Sequence, residues 1–243
     1  ITEDLNTALN YSKKLRQTSR EINQTLKAMD AGFIEPGPGN DPIRNPEALP
    51  TGRNFYSFDP RKFPDKETDE RGAVLADQML DKYKSEHGDY PKKVNYVLWS
   101  VETMRHEGLM EAQIYSLLGV EPVRDWGRIV GFDVIPAENM THPRIDVTVT
   151  PSGLYRDTFP YQLKLIDNAV RTVATLNESN ETNYVRMNSL KMEEELKDMG
   201  YNNSTAVNLS RSRIFSEPPG SYGTGLPGAV TASDTWDSED ELA

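Results

Sequence analysis

Two short stretches of the chain bring together side chains that can do chemistry. Residues 99–107 include Glu102 and His106, and residues 152–160 include Asp157. Carboxylates and imidazoles transfer protons, so these three side chains are candidate general acids or bases. Each stretch also contains one arginine, whose guanidinium group can bind a carboxylate through two hydrogen bonds. Either stretch could therefore belong to a catalytic or anion-binding site.

Both stretches also have a purely structural interpretation. Asp157 or Thr158 could cap the helix that follows, and Arg156 could pair with a neighbouring carboxylate. Spacing alone favours this interpretation over a site. Two other segments, residues 183–186 and 213–215, carry polar and charged side chains that are ordinary surface signals when taken alone.

The hydrophobic pattern predicts the elements that position these stretches. Apolar residues recur at helical spacing in residues 67–87, 108–118, 158–176 and 183–199, and apolar runs of strand type cover residues 94–99, 129–135 and 145–149. This order predicts an α/β fold with a largely parallel sheet flanked by helices. In such sheets, sites lie beyond the carboxyl ends of the strands. Residues 100–107 and 150–157 follow two of these ends.

The two ends of the chain differ from this middle region. Residues 2–30 show helical spacing, and residues 34–64 are rich in proline and glycine with interspersed aromatic residues. The last residues return to loop character and are acidic. The sequence therefore predicts three parts: an N-terminal helix with a Pro/Gly-rich loop that packs on the core (1–64), an α/β domain (65–212) and a loop-rich acidic segment (213–243).

Composition excludes several classes of protein. The chain has no cysteine, so disulfides, cysteine zinc sites and iron–sulfur clusters are absent. The charge of 27 − 38 = −11 argues against nucleic acid or an anionic membrane as the main partner. No Gly-x-x-x-x-Gly-Lys-Ser/Thr loop occurs, and no apolar run approaches the roughly 20 residues of a membrane span. The first residues lack signal-peptide features, so we expect a cytoplasmic protein.

Nine motifs follow one another along the chain in residues 36–46, 49–56, 59–61, 97–105, 143–147, 152–160, 183–186, 213–215 and 218–226. In this order they resemble the large subunit of cobaltochelatase, in the superfamily that includes the H subunit of magnesium chelatase. The Gly-Arg-Asn-Phe-Tyr and Pro-Pro-Gly-Ser-Tyr-Gly stretches look more like the cobalt branch. Members of this family are much longer than 243 residues, so the chain is expected to be an internal fragment.

The resemblance implies a function in metal insertion. Such a subunit holds a tetrapyrrole while a divalent metal, Co²⁺ or Mg²⁺, is inserted as a substrate, and no cofactor is bound permanently. A partner AAA+ ATPase with its companion subunit hydrolyses ATP, so the fragment alone is expected to be inactive. Cobalt insertion in corrinoid biosynthesis is preferred. The alternatives are a non-catalytic domain that docks the ATPase, a magnesium chelatase H-type subunit of chlorophyll synthesis, and an unrelated sugar- or nucleotide-binding domain.

The resemblance also suggests roles for individual residues. Two ring N–H protons must leave, so the expected catalytic residues are Glu102, His106 and Asp157, of which the first two are at most transient metal ligands. The expected substrate-binding residues, which grip or stack on the ring, are Arg105, Arg156, Arg186, Tyr155, Asn183 and Tyr222. One departure stands out: where the family usually has Lys-His after Asn-Tyr-Val-Arg, this chain has Met187 and Asn188.

Overall fold

The computed structural model of the chain describes residues 2–39, 42, 46–56, 59–224, 226–235 and 238. Several residues of the motifs and of the C-terminal acidic segment lie outside this range, namely 40, 41, 43–45, 225, 236, 237 and 239–243. The chain divides into two compact units, Ile1–Asp59 and Pro60–Ala243. The division at residues 64 and 212 that the sequence suggests, and the packing of residues 1–64 on the core, remain predictions.

The described residues of the first unit form two α-helices, a short 3-10 helix at Pro46–Ala48 and a small sheet. Helices α1 (Thr2–Leu15) and α2 (Arg20–Met29) occupy the N-terminal helical segment, and a turn at residues 16–19 separates them. Strand β1 (Pro36–Pro38) pairs in parallel with strand β2 (Asn54–Tyr56). The beginning of the Pro/Gly-rich segment is therefore hydrogen-bonded to a later part of the same segment.

The second unit alternates helices and strands. Its helices are α3 (Lys66–His87), α4 (Ser100–His106), α5 (Leu109–Leu118), α6 (Gly153–Thr158), α7 (Pro160–Ala174), α8 (Tyr184–Asp198), α9 (Asn203–Leu209) and α10 (Leu226–Thr231). Its strands are β3 (Lys93–Leu98), β4 (Val120–Asp125), β5 (Arg128–Val134) and β6 (Asp146–Pro151). None of the described helices combines the length and the apolar character needed to cross a bilayer.

Four of these helices begin at a polar side chain that caps the first turn. Asp65, Ser152, Asn183 and Asn202 each accept a hydrogen bond from the backbone N–H three residues later, at 2.8 to 3.2 Å. Each cap satisfies a backbone donor that has no partner inside the helix. The caps thus fix where α3, α6, α8 and α9 start.

The strands form three small sheets. Strands β3 and β6 pair in parallel from Lys93↔Asp146 to Leu98↔Pro151, and β4 and β5 pair antiparallel. On β6, Val149 also bridges Ile214 in parallel. The predicted α/β fold, with parallel strands and flanking helices, is confirmed.

Several short elements of the second unit differ from the sequence prediction. The segments after β3 and β6 are short helices, α4 and α6, rather than loops. Strand β4 was missed because Pro122 interrupts its strand pattern, although proline is tolerated where a strand pairs on one side only. Helix α9 lies in a polar segment without clear helical spacing.

The core of the second unit is built around α5. This helix contacts α3, α7, β4 and β6, and its apolar side chains Ala112, Ile114, Leu117 and Leu118 are almost fully buried. Helix α7 contributes an apolar stripe with the i, i+4, i+7 spacing of one helix face, and β6 contributes inward-facing valines. Because α5 is buried on several faces, any polar side chain on it must find its partners inside the protein.

Two buried arginines tie loops to the sheet. Arg144 is 1% exposed and donates to both carboxylate oxygens of Glu178 at 2.8 and 2.9 Å. Arg213 donates from Nε to Oδ1 of Asp146 at 2.7 Å, and Asn188 donates to the other oxygen of the same carboxylate at 2.8 Å. Asn188 therefore joins α8 to the first residue of β6.

We expect Asp146→Asn to destabilise the chain by about 3–5 kcal/mol, because it leaves the buried Arg213 charge without a counter-charge. Urea unfolding measures this difference. The control is Glu195→Gln, which removes the exposed pair with Lys191 at 3.7 Å and should change stability by less than about 0.5 kcal/mol. Equal unfolding midpoints for the two variants would contradict the assigned role of Asp146.

Candidate functional site

Strands β3 and β6 end at the same edge of their sheet, because Leu98 pairs with Pro151. Helices α4 and α6 begin directly after these strands and contact each other. The Ser152 N–H also donates to the Leu98 carbonyl oxygen at 2.9 Å, which links the start of α6 to the end of β3. The two stretches that the sequence singles out therefore lie side by side.

The charged residues on these two helices form separate pairs. Arg105 donates to Glu102 at 2.5 Å within α4, and both side chains are more than half exposed. Arg156 donates to Asp157 at 3.0 Å within α6. Each charge is thus neutralised within its own helix, and the catalytic and binding roles of these four residues stay predictions.

Arg156 also holds the segment that follows α9. Its Nη1 donates to the carbonyl oxygens of Glu217 at 2.6 Å and Pro218 at 3.0 Å. With Nε bound to Asp157, much of the guanidinium group is engaged inside the chain. Gripping a ligand would require Arg156 to give up some of these contacts.

The Pro-Pro-Gly segment closes over the start of α6. The Gly153 N–H donates to the Gly223 carbonyl oxygen at 3.2 Å. A Cβ atom at Gly153 would overlap the Ser221 carbonyl oxygen, so only glycine allows this approach. Tyr222 lies in this segment and is 62% exposed, which leaves its ring free to stack.

Asn183 and Arg186 lie away from this edge. Asn183 pairs with Arg144, which precedes β6, and so it sits at the amino end of the strand. Its amide donates to the Val173 carbonyl oxygen and to Glu178, and its Oδ1 caps α8 at Arg186. The structure thus brings Glu102, Arg105, His106, Tyr155, Arg156 and Asp157 to one edge, with Tyr222 in the adjoining segment, and leaves Asn183 and Arg186 at the other.

A buried carboxyl group that the sequence did not single out lies beneath this edge. Glu111 of α5 is 0% exposed. Its Oε1 accepts hydrogen bonds from the Tyr155 hydroxyl at 2.6 Å and from the Thr103 hydroxyl at 3.2 Å. Its Oε2 is buried and has no hydrogen-bond partner among the described residues. Burial raises the pKa of Glu111, and the Tyr155 hydrogen bond and the nearby charge of His106 offset only part of that rise.

His106 is the second polar group of this buried cluster. Its Nδ1 accepts a hydrogen bond from the Leu109 N–H at 3.0 Å, so in the neutral ring the proton lies on Nε2. That Nε2 atom is buried and unpartnered among the residues that the structure describes. In this state His106 is a donor, and acting as a proton acceptor would require release of the Leu109 N–H.

Two tyrosines complete the cluster. Burial, and then the Glu111 carboxylate, raise the pKa of both the Tyr155 and the Tyr115 hydroxyl well above the ordinary range. Both phenols therefore stay neutral and can donate hydrogen bonds. Tyr115 also lines a cavity of about 490 Å³ together with Asp69 and Arg124. We call Thr103, His106, Glu111, Tyr115 and Tyr155 the Glu111 cluster.

A sequence signal for Glu111 did exist. The residue lies in the predicted helix 108–118, three residues before Ile114 and seven before Leu118, which places it on an apolar helix face. Charged side chains are rarely buried without partners, so a glutamate on such a face indicates either a polar network or a site. The residues that donate hydrogen bonds to Glu111, however, lie in α4 and α6. The hydrophobic pattern of the sequence does not show that these helices contact α5.

The Glu111 cluster can take up and release a proton. A carboxyl group with a raised pKa is a stronger base once it is deprotonated, and its proton exchange moves towards neutral pH. Among the described residues, no group of three or more histidine, aspartate and glutamate side chains could hold a metal ion.

The raised pKa of Glu111 predicts a pH-dependent stability. Because burial raises the pKa of Glu111, the folded state binds this proton more tightly than the unfolded state does. The free energy of unfolding therefore falls as the pH rises above 4.5, the ordinary pKa of the group. We therefore expect wild type to lose stability relative to Glu111→Gln as pH rises, by at most about 1.4 kcal/mol per pH unit. Tyr155→Phe removes a hydrogen bond that lowers the pKa of Glu111. The stability of this variant should therefore continue to fall up to a higher pH than that of wild type. Urea unfolding from pH 4 to 8 measures this, and parallel profiles would contradict it.

Comparison with known proteins places the chain in a family. The model of the CobN/Magnesium Chelatase family matches residues 2–243. A solved structure, the catalytic subunit of cobaltochelatase from Mycobacterium tuberculosis, is similar with a TM-score of 0.76 and 38% identity, over 96% of this chain and 19% of that one.

Relatives of both metal branches are similar to the chain. The magnesium-chelatase subunit ChlH of Oryza sativa subsp. indica is 35% identical over 97% of this chain and 17% of that protein. The aerobic cobaltochelatase subunit CobN of Pseudomonas aeruginosa is 35% identical over 92% of this chain and 18% of that protein. The chain thus spans about a fifth of the length of its relatives. It belongs to the CobN/magnesium chelatase family.

Proposed function

We propose that the chain is a section of the large subunit of a metal chelatase, which binds a tetrapyrrole, and that Glu111 accepts the protons displaced by the metal. The observation that carries this proposal is the buried Oε2 of Glu111, which has no hydrogen-bond partner in the described part of the chain. It lies beneath the edge where α4 and α6 meet, in a chain related to chelatase subunits.

The chemistry requires a base of this kind. Inserting a divalent metal into a tetrapyrrole replaces two ring N–H protons, and both protons must reach solvent. Glu111 takes one proton at a time at Oε2, while Tyr155 and Thr103 keep Oε1 hydrogen-bonded. A positive charge on His106 lowers the pKa of Glu111, which favours the carboxylate between transfers. A positioned base of this type accelerates proton transfer about 10²–10⁴-fold.

The metal and the partners belong to the same proposal. Cobalt is favoured by the Gly-Arg-Asn-Phe-Tyr and Pro-Pro-Gly-Ser-Tyr-Gly stretches, whereas relatives of the two branches are equally similar at 35% identity. ATP hydrolysis is assigned to a partner AAA+ ATPase, in keeping with the lack of a phosphate-binding loop in this sequence. The tetrapyrrole and the metal are both substrates.

A non-catalytic role is the second candidate, and the pairing of the surface charges favours it. Glu102 is paired with Arg105, and Arg156 is bound to Asp157 and to two carbonyl oxygens. Side chains engaged in this way support the fold without contacting a ligand. In that case the section frames the cavity or docks the ATPase.

We expect Glu111→Gln in the full-length subunit, assayed with its partner subunits, to slow metal insertion at least about 100-fold. Tetrapyrrole affinity, measured by absorbance titration, should change less than threefold, because the amide keeps the Tyr155 hydrogen bond. Glu102→Gln tests the alternative in which the exposed carboxylate of α4 takes the proton. Glu195→Gln on α8 is the control.

The outcomes separate the candidate roles. Loss of metal insertion in Glu102→Gln, together with normal insertion in Glu111→Gln, would show that the exposed Glu102 of α4 is the base. Wild-type insertion in both variants would favour the non-catalytic role. Unfolding midpoints of each variant distinguish a chemical effect from loss of structure.

A further inference from the structure

The cavity beside Tyr115 lies within the second unit, among α3, α5 and β4. Its volume is about 490 Å³. One water molecule occupies about 30 Å³ in the liquid, so the cavity is large enough for several waters. Its lining includes the charged side chains of Lys66, Asp69, Glu121 and Arg124.

Three buried polar atoms of this lining have no hydrogen-bond partner in the described part of the chain. They are the Tyr115 hydroxyl oxygen, Oδ1 of Asp69 and Nε of Arg124. A buried polar atom without a partner costs about 1–3 kcal/mol, and buried water typically satisfies such atoms with about three hydrogen bonds per molecule. The cavity is therefore suited to ordered water.

Asp69 and Arg124 form the outer wall of this cavity. Arg124 donates from Nη2 to Oδ2 of Asp69 and to the Pro64 carbonyl oxygen, the latter at 3.0 Å, and from Nη1 to the Pro122 carbonyl oxygen at 3.2 Å. These contacts fix the pair and leave Oδ1 and Nε for water. The two side chains are 17% and 21% exposed, so this wall reaches solvent.

Tyr115 connects the lining to the proposed base. It follows Glu111 by four residues in α5, which places both side chains on one helix face. Burial, and then the Glu111 carboxylate, raise the pKa of the Tyr115 hydroxyl, so the carboxylate is near enough to act on it. The hydroxyl and Oε2 of Glu111 are both unpartnered and form no direct hydrogen bond. One water molecule between them would complete the connection.

We propose that Tyr115 and water in this cavity form the exit route for the protons that Glu111 accepts, an inference that rests on the proposed function. The proton on Oε2 of Glu111 passes to the bridging water, which gives one of its own protons to the Tyr115 hydroxyl oxygen. The original hydroxyl proton moves at the same time to cavity water, and from there to Oδ1 of Asp69 or to solvent. Tyr115 is neutral before and after, and Glu111 is again a carboxylate.

The arrangement separates the entry of a proton from its exit. Tyr155 of α6 and Thr103 of α4 occupy Oε1 of Glu111, so Oε2 is the oxygen that exchanges the proton. The described lining of the cavity comes from α3, α5, β4 and Ile135, and not from α4 or α6. Protons therefore leave on a different side of α5 from the edge where α4 and α6 meet.

Metal insertion by the full-length subunit with its partner subunits tests this route in two variants. Tyr115→Phe removes the hydroxyl but keeps the ring that packs on Phe132, and Ala73→Leu fills part of the cavity without removing a polar group. Each should slow insertion at least about tenfold, because a positioned group no longer passes the proton on. Each should also raise the solvent deuterium isotope effect above that of wild type and leave tetrapyrrole affinity unchanged.

Two matched controls accompany these variants. Tyr96→Phe removes a buried hydroxyl that is bonded to Gln113 at 3.2 Å and does not line the cavity. Ala73→Ser changes the same position as Ala73→Leu but leaves room for water. Both controls should insert metal at the wild-type rate. If urea unfolding shows that Tyr115→Phe has lost its structure, Ala73→Leu decides the question.

The outcomes separate the exit route from the proposed function. Wild-type insertion in both Tyr115→Phe and Ala73→Leu, with slow insertion in Glu111→Gln, overturns the route and leaves Glu111 as the base. Slow insertion in either variant with a wild-type isotope effect also overturns the route, since the loss then comes from packing. Wild-type insertion in Glu111→Gln overturns both.

Discussion

The hydrogen bond from Tyr155 to Glu111, at 2.6 Å, is the interaction on which the candidate site depends. A carboxyl group inside a protein is strongly disfavoured unless donors surround it. Thr103 of α4 and Tyr155 of α6 supply those donors, and both helices are placed by the common end of β3 and β6. The parallel register of two strands thus determines whether α5 can carry a glutamate at position 111. The second carboxylate oxygen, Oε2, is buried without a hydrogen-bond partner among the described residues, and the proposed proton transfer uses this atom.

The sequence predicts the second unit well where periodicity is strong. Helices α3, α5, α7 and α8 and strands β3, β5 and β6 all correspond to predicted segments, because their apolar residues recur at helical spacing or form runs of strand type. Prediction fails for short elements whose stability comes from their surroundings. Helices α4 and α6 have seven and six residues, too few to be stable alone, and they form because they are held at strand ends.

The candidate site is predicted only in part, for reasons that lie in tertiary structure. Sequence reasoning locates the edge where α4 and α6 meet, because strand order determines where the carboxyl ends of the strands lie. It does not show which side chains are already paired. The polar side chain of Asn183 is of a type that often binds ligands, but it caps a helix. Arg213 is of a type that usually lies on the surface, but it is buried against Asp146. Glu111 is missed because the donors that stabilise it, Thr103 and Tyr155, lie in other helices, and local sequence patterns do not predict contacts between helices.

Burial makes Glu111 hold its proton more tightly than an ordinary glutamate does. NMR titration of protein labelled with ¹³C at glutamate carboxyl groups measures this directly, with the resonance assigned by its absence in Glu111→Gln. We expect a carboxyl pKa above the ordinary value of 4.5 for Glu111, and a further rise when Tyr155 is replaced by phenylalanine. A pKa of 4.5 or below, unchanged by loss of the Tyr155 hydroxyl, would contradict it.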